Sequence, residues 1–207
     1  MRSLVTSSLL AAALVALSPS ARADQQKDPG LRAIIEAAIK DKPCFAAKYD
    51  DVVWFALMQP RVEARLRAQP PDLRLGDDVG AAAQRILHAV SCEANKHAML
   101  RDRPQLVLAV IDVESHFRKY AVSRAGARGL MQVMPFWVEQ LGGKADNLFH
   151  ERTNLRYGCV ILRHYLDRER GNMSNALARY NGSLGQAQYP QKVLRAWKER
   201  WALSLPA

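Results

Sequence analysis

The chain has 207 residues, of which 49% are hydrophobic and 24% charged, with 11 Gly and 10 Pro. This composition excludes collagen-like, coiled-coil and disordered chains, and the length fits one domain or one domain with an added helical layer. Lys and Arg number 30 against 20 acidic residues, a net charge of +10, which suits an anionic partner without choosing among nucleic acid, a membrane surface or an acidic polymer.

A basic start at Arg2 leads into an almost wholly apolar run from Leu4 to Leu17, then Pro19 and the small-x-small triplet Ala21-Arg22-Ala23. That is the pattern of a cleavable export signal. About 14 apolar residues fall short of the ~20 that span a bilayer. Residues 1–23 therefore read as a signal peptide and the mature chain as periplasmic. No later stretch has the length and apolarity of a transmembrane span. Three cysteines in an exported chain allow one intramolecular disulfide, and Cys44 with Cys92 is the preferred pair because both lie in the N-terminal half. Cys159, inside Cys159-Val160-Ile161-Leu162, reads as a small buried thiol.

The rest of the chain reads as helices and loops, an all-α fold. Leu31, Ile34, Ile35, Ala38 and Ile39 fall on one helical face, and Pro43 stops that segment. A second helix fits 50–68. A loop from Pro70 to Gly80 offers Asp77 or Asp78 as the cap of a third helix carrying Ile86, Leu87, Val90 and Ala94. Pro104 suits the first position of a fourth helix. Its run from Leu106 to Ile111 is apolar on every side, which predicts a buried central helix. Further helices fit 136–141, 153–168, 173–180 and 190–203. Residues 24–99 are expected to form an N-terminal helical region packed on a core domain of residues 100–203.

The central helix ends in Asp112-Val113-Glu114-Ser115-His116. A carboxyl at the exit of an apolar helix is partly desolvated, which raises its pKa and suits a general acid; the alternative is an ordinary surface Glu in a last turn. Asp112 cannot share the task, because two positions separate side chains by about 200° around a helix. Downstream, Gly126 and Gly129 lie three apart and allow close backbone approach, and Met131-Gln132 sets an adaptable apolar side chain beside an amide able to read a sugar hydroxyl or acetamido group. Without a preceding strand this is no phosphate or dinucleotide loop. Ala178-Arg179-Tyr180-Asn181-Gly182 offers a phenol and an amide, or simply a helix C-cap. The four Trp residues read mainly as core, with Trp137 the best placed to line a cleft. His and Cys spacings predict no metal and no cofactor, and no serine-nucleophile elbow is present.

Taken in order, these clusters resemble the lytic transglycosylase family with the soluble lytic transglycosylase (SLT), lysozyme-like domain. The matching elements are Glu114-Ser115, Ala121-x-Ser123, Gly126-Ala127-x-Gly129-Leu130-Met131-Gln132-x-Met134-Pro135, Asn147-Leu148-Phe149 with Asn154-Leu155-x-x-Gly158, and Ala178-x-Tyr180-Asn181. Many members read Tyr-Asn-Ala-Gly where this chain has Tyr180-Asn181-Gly182-Ser183. The resemblance implies Glu114 as the single catalytic acid/base, with Ser115 orienting it. It implies Ser123, Met131 and Gln132 lining a glycan cleft, and Tyr180 and Asn181 facing the carboxyl. It further implies cleavage of peptidoglycan glycan strands to 1,6-anhydromuramoyl products, with the substrate acetamido group standing in for a second carboxylate.

Two alternatives stay open. One is a lysozyme-type hydrolase, for which Glu139, Asp146 and Glu151 are candidate second acids; the other is a non-catalytic peptidoglycan-binding protein of a secretion apparatus. A nucleic-acid partner is not expected, since the basic residues are spread along an exported chain. A cell-envelope protein partner stays unidentified.

Overall fold

The computed structural model describes residues 26–40, 51–70 and 78–203. Helix α1 spans Pro29–Lys40. Asp28 caps it by accepting from the Leu31 amide at 3.0 Å, while Pro43 lies outside the described residues. Helix α2 spans Val52–Arg67. Asp51 accepts from the amides of Val53 and Trp54, satisfying donors that a helix start leaves open. Its buried stripe is Trp54, Met58, Val62 and Leu66, one residue per turn. Helix α3 spans Val79–Asn95, and of the two candidate caps it is Asp78 that accepts, from the Ala81 amide at 2.9 Å. A short helix, α4, follows over Ala98–Arg101.

Helix α5, Pro104–Ser115, is the central element, with Pro104 in its first turn. Every residue from Gln105 to Asp112 is buried, as expected of a run apolar on all sides. Each Leu, Val or Ile there is stabilised by roughly 1.5–3 kcal/mol on transfer from water. The helix stops where His116 and Phe117 both take positive φ, 52° and 62°, a conformation costly for side chains with a Cβ. Packing holds it: the Phe117 ring is fully buried and lies 5.4 Å from the Trp201 ring. Side chains also serve the open carbonyls at this end, Gln69 donating to His116 O and Arg118 to Ser115 O.

A loop follows, stapled by isolated bridges joining Val122, Arg128 and Val133; among the described residues no strand forms. Then come α6 (Phe136–Glu139), a 3₁₀ turn (Ala145–Phe149), α7 (Glu151–Arg168), α8 (Met173–Asn181) and α9 (Gln188–Ala196). The last expected helix, 190–203, is therefore interrupted: after Ala196 the backbone widens into a π turn over Trp197–Trp201. Arg200 and Trp201 both reach Asp112 from that turn. The short α4 and the 3₁₀ turn lack the length that makes periodicity legible.

Helix α5 packs against α3, α9 and the π turn, while α7 contacts α1, α3 and α8. One continuous core runs from Leu31 and Ile35 in α1 through α5 to Trp201. Asp28 also ties the chain start to α7, accepting from Arg168 at 2.9 Å and lying 3.1 Å from His164 Nε2. Cys92 is disulfide-bonded and Cys159 is a buried free thiol. Cys44, the expected partner of Cys92, and the expected signal peptide over 1–23 lie outside the described residues.

Candidate active site

Glu114 sits in the last turn of α5 with 4% of its surface exposed. Burial pushes its carboxyl up to about 8, so it is protonated at neutral pH and able to donate a proton. One hydrogen bond opposes that shift: the Tyr189 hydroxyl donates to Glu114 Oε1 at 2.6 Å. Among the described residues no second carboxylate contributes. Burial, and then the Glu114 charge, hold the phenols of both Tyr180 and Tyr189 well above their ordinary range, so both remain donors.

The Gly126–Pro135 segment is shaped by glycine and by Asn154. Gly129 has φ 76°, and a Cβ there would stand 2.3 Å from the Asn154 amide nitrogen and 2.4 Å from Leu148 O. Asn154, buried in α7, accepts from the Met131 amide at 2.7 Å and donates to Arg128 O and Leu148 O. One side chain thus fixes three backbone groups around the loop. Gly158, one helical turn further on α7, makes room for Met131: a Cβ would meet the Met131 sulfur at 2.4 Å. Met131 is fully buried, and its carbonyl accepts from Tyr180 Oη at 2.7 Å.

Gln132 follows at φ 50°, with its side-chain nitrogen donating to Ala121 O at 3.1 Å and Gly129 O at 3.0 Å. Its Oε1 is buried without a partner, an acceptor that costs free energy until a donor arrives. Asn181 closes α8 in a buried position, and Gly182 after it takes φ 74°.

Several expected roles differ in geometry. Ser115 does not orient Glu114: its hydroxyl donates to Ile111 O, within its own helix. The Ser123 oxygen accepts from the Ala127 amide at 3.0 Å and so staples the loop rather than facing open space. The Tyr180 hydroxyl donates to Met131 O, and the hydroxyl that donates to the carboxyl is that of Tyr189. Trp137 is 1% exposed and is core, not a cleft wall. Tyr189 carried no local motif signal, being a lone aromatic 75 residues from Glu114, while Asn154 was legible only as part of a family pattern.

The other acids are occupied elsewhere. Asp112, 1% exposed, points to the opposite side of α5. Its Oδ2 accepts from Arg200 Nε at 2.7 Å, Arg65 Nη2 at 3.1 Å and Trp201 Nε1 at 3.1 Å. Burial alone would raise this carboxyl, but His116, Arg200 and Arg65 together hold it down at about 2. Asp146 pairs with Arg128, Glu151 lies 3.5 Å from Lys119 Nζ, and Glu139 is exposed. Among the described residues no cluster of three or more His, Cys, Asp or Glu could hold a metal ion, and no helix is long and apolar enough to cross a membrane.

The family model described as transglycosylase SLT domain matches residues 91–201, from late α3 through the π turn. The chain is 36% identical over 99 residues to a protein named transglycosylase from Enterobacteria phage PRD1, covering 44% of this chain and 36% of the phage protein. It is 33% identical over 97 residues to a membrane-bound lytic murein transglycosylase F of Desulfosudis oleivorans, covering 44% of this chain and 21% of that protein. It is 35% identical over 96 residues to a membrane-bound lytic murein transglycosylase C of Yersinia pestis, covering 39% and 27%. The matched segment spans little more than a third of these relatives at most.

Proposed function

The chain belongs to the transglycosylase SLT domain family, and on that premise we propose that it cleaves the MurNAc–GlcNAc β-1,4 bond of peptidoglycan without water, in cell-wall remodelling. One observation supports this above the rest: a buried carboxyl, Glu114, is held protonated near neutral pH, and among the described residues no second carboxylate contributes to its environment. Protonated Glu114 donates to the glycosidic oxygen as the C1–O bond breaks. The muramyl acetamido group stabilises the charge at C1 in place of a carboxylate nucleophile. Glu114, now ionised, takes the proton from the muramyl C6 hydroxyl while O6 bonds to C1, closing a 1,6-anhydro ring and restoring the acid.

Tyr189 steadies the ionised intermediate state by its hydrogen bond to Oε1. The unpartnered Gln132 Oε1, buried at the loop, and the Asn181 amide are the polar groups that bind sugar hydroxyl or acetamido groups. Met131, Tyr180, Ser115 and Ser123 act from behind by fixing the backbone on which those groups sit. The substrate is the glycan strand, and residues 1–23 direct the chain to the periplasm, where that strand is reached.

The test is mass spectrometry of muropeptides released from purified sacculi, with Glu114→Gln alongside. Anhydromuramoyl products, lighter than reducing-end products by one water and absent with the variant, are expected. Reducing-end products would make the chain a lysozyme-type hydrolase. Binding without release by either protein would make it a non-catalytic peptidoglycan binder.

A further inference from the structure

On the Asp112 side of α5, away from Glu114, α2 and the π turn flank an open, solvent-facing cavity of about 470 Å³ lined by Arg61, Arg65, Lys198, Glu199, Arg200 and Trp201, among others. That is the size of a site for a small ligand. Its cations are pre-set. Arg61 Nη1 donates to Arg200 O and Ala202 O, at 3.0 and 2.9 Å. Arg65 and Arg200 each anchor one nitrogen on Asp112 Oδ2, while their side chains remain 35% and 40% exposed. A guanidinium carries five N–H donors, so each arginine keeps donors in reserve, in an orientation already fixed; fixed forks of this kind suit carboxylates. Lys198 and Glu199 are exposed and carry no ion pair among the described residues. The backbone here is a π turn, a geometry frequent at functional sites.

We propose that this cavity is a second binding site, for a peptide that carries carboxylates together with an amine, of the kind that hangs from the glycan strand. The arginines and Lys198 take the carboxylates and Glu199 takes the amine. Glu199 points to the ligand class: it offers an acceptor that a phosphate-rich polymer or an anionic membrane leaves unused, whereas a mixed-charge peptide fills it with its amine. The site would tether the protein to the wall through its peptides while Glu114 works on the sugars. The identification of the peptide rests on the peptidoglycan reading; the site's charge pattern does not.

Isothermal titration calorimetry of the whole mature chain with L-alanyl-γ-D-glutamyl-meso-diaminopimelate tests this. The probe has no glycosidic bond, so binding is read whether or not the chain cleaves glycan. One-to-one binding is expected, weakened about tenfold or more in Lys198→Glu. Glu199→Gln should bind the tripeptide several-fold more weakly yet bind inorganic phosphate more tightly, a crossing that mere loss of folding cannot produce. Cleavage of peptide-free glycan should be unchanged in Lys198→Glu. No binding by the folded wild type, or binding indifferent to Lys198→Glu, overturns the proposal. So does tighter binding of inorganic phosphate or of phosphatidylglycerol vesicles than of the tripeptide. If the tripeptide binds as expected but sacculi yield no anhydromuramoyl ends, the peptide site stands and the transglycosylase reading falls.

Discussion

Asp112 and Glu114 lie two residues apart on α5 and are almost equally hidden from water, 1% and 4% exposed, yet one is held near 2 and the other near 8. Burial raises both; neighbours separate them. Asp112 faces α2 and the π turn, where Arg65, Arg200 and the Trp201 indole converge on one oxygen. Glu114 faces the α9 side, where one phenol is its hydrogen-bond partner. The same helix therefore presents a structural anion on one face and a proton donor on the other, and the difference is set by elements distant in sequence.

The largest effect that would test this contrast is on catalysis. Glu114→Gln should lower anhydromuropeptide release by about 10³-fold or more, while raising stability at neutral and alkaline pH. The sign follows from linkage: with a folded pKa about 8 above the unfolded value of 4.5, the native state binds the extra proton between those values, so wild-type stability falls as pH rises through that window. Thermal melts from pH 5 to 9 should show a downward slope in the wild type that the variant lacks; equal slopes would remove the basis for a protonated acid.

Asp112→Ala should do the reverse. It should cost about 3 kcal/mol, by loss of the hub that joins α2, α5 and the π turn, while activity per folded molecule at permissive temperature stays within a few-fold. Its own linkage is opposite in sign: a carboxyl lowered from 3.8 to about 2 stabilises the fold above the higher value and loses that contribution as pH falls through the lower one. Denaturant midpoints between pH 2 and 5 should therefore be flatter in the variant. A catalytic loss matching that of Glu114→Gln would show that the two faces are not independent.

Gly158→Ala inserts a Cβ where the Met131 sulfur now lies. It should cost about 2 kcal/mol by overpacking and lower activity through the displaced Gln132. The smallest change is Tyr189→Phe. Because the Tyr189 hydroxyl favours the ionised carboxylate, its loss should move the alkaline limb of the pH–activity profile upward by up to about one unit, with roughly tenfold less turnover. An unmoved limb would mean that some other group titrates.

The sequence made α5 legible because a run apolar on every side has few places to go but the centre, and the capping role of Asp78 follows from residue type, whereas Asp51 fell inside the expected helix and caps it instead. The acid itself was legible as a carboxyl at the exit of that helix. Its hydrogen-bond partner was not, because nothing local to Tyr189 points at a residue 75 positions away. The π turn was equally hidden: Trp197 and Trp201 are spaced for an ordinary helix, and the contacts that Arg200 and Trp201 make from the turn are to a carboxylate on another element. Ser115 and Ser123 looked like site residues by position, but short hydroxyls beside open backbone groups bond locally first.

Asn154 and Gly158 bear on how such a site could be altered. The shape of the Gly126–Pro135 loop is held in part by a helix outside it, through one amide touching three backbone groups and one absent side chain. Grafting the loop alone onto another helical scaffold would transplant the residues without the conformation that aims them. The smallest transferable unit is loop plus α7, so substitutions that retune the loop are expected to be accompanied by substitutions at 154 and 158.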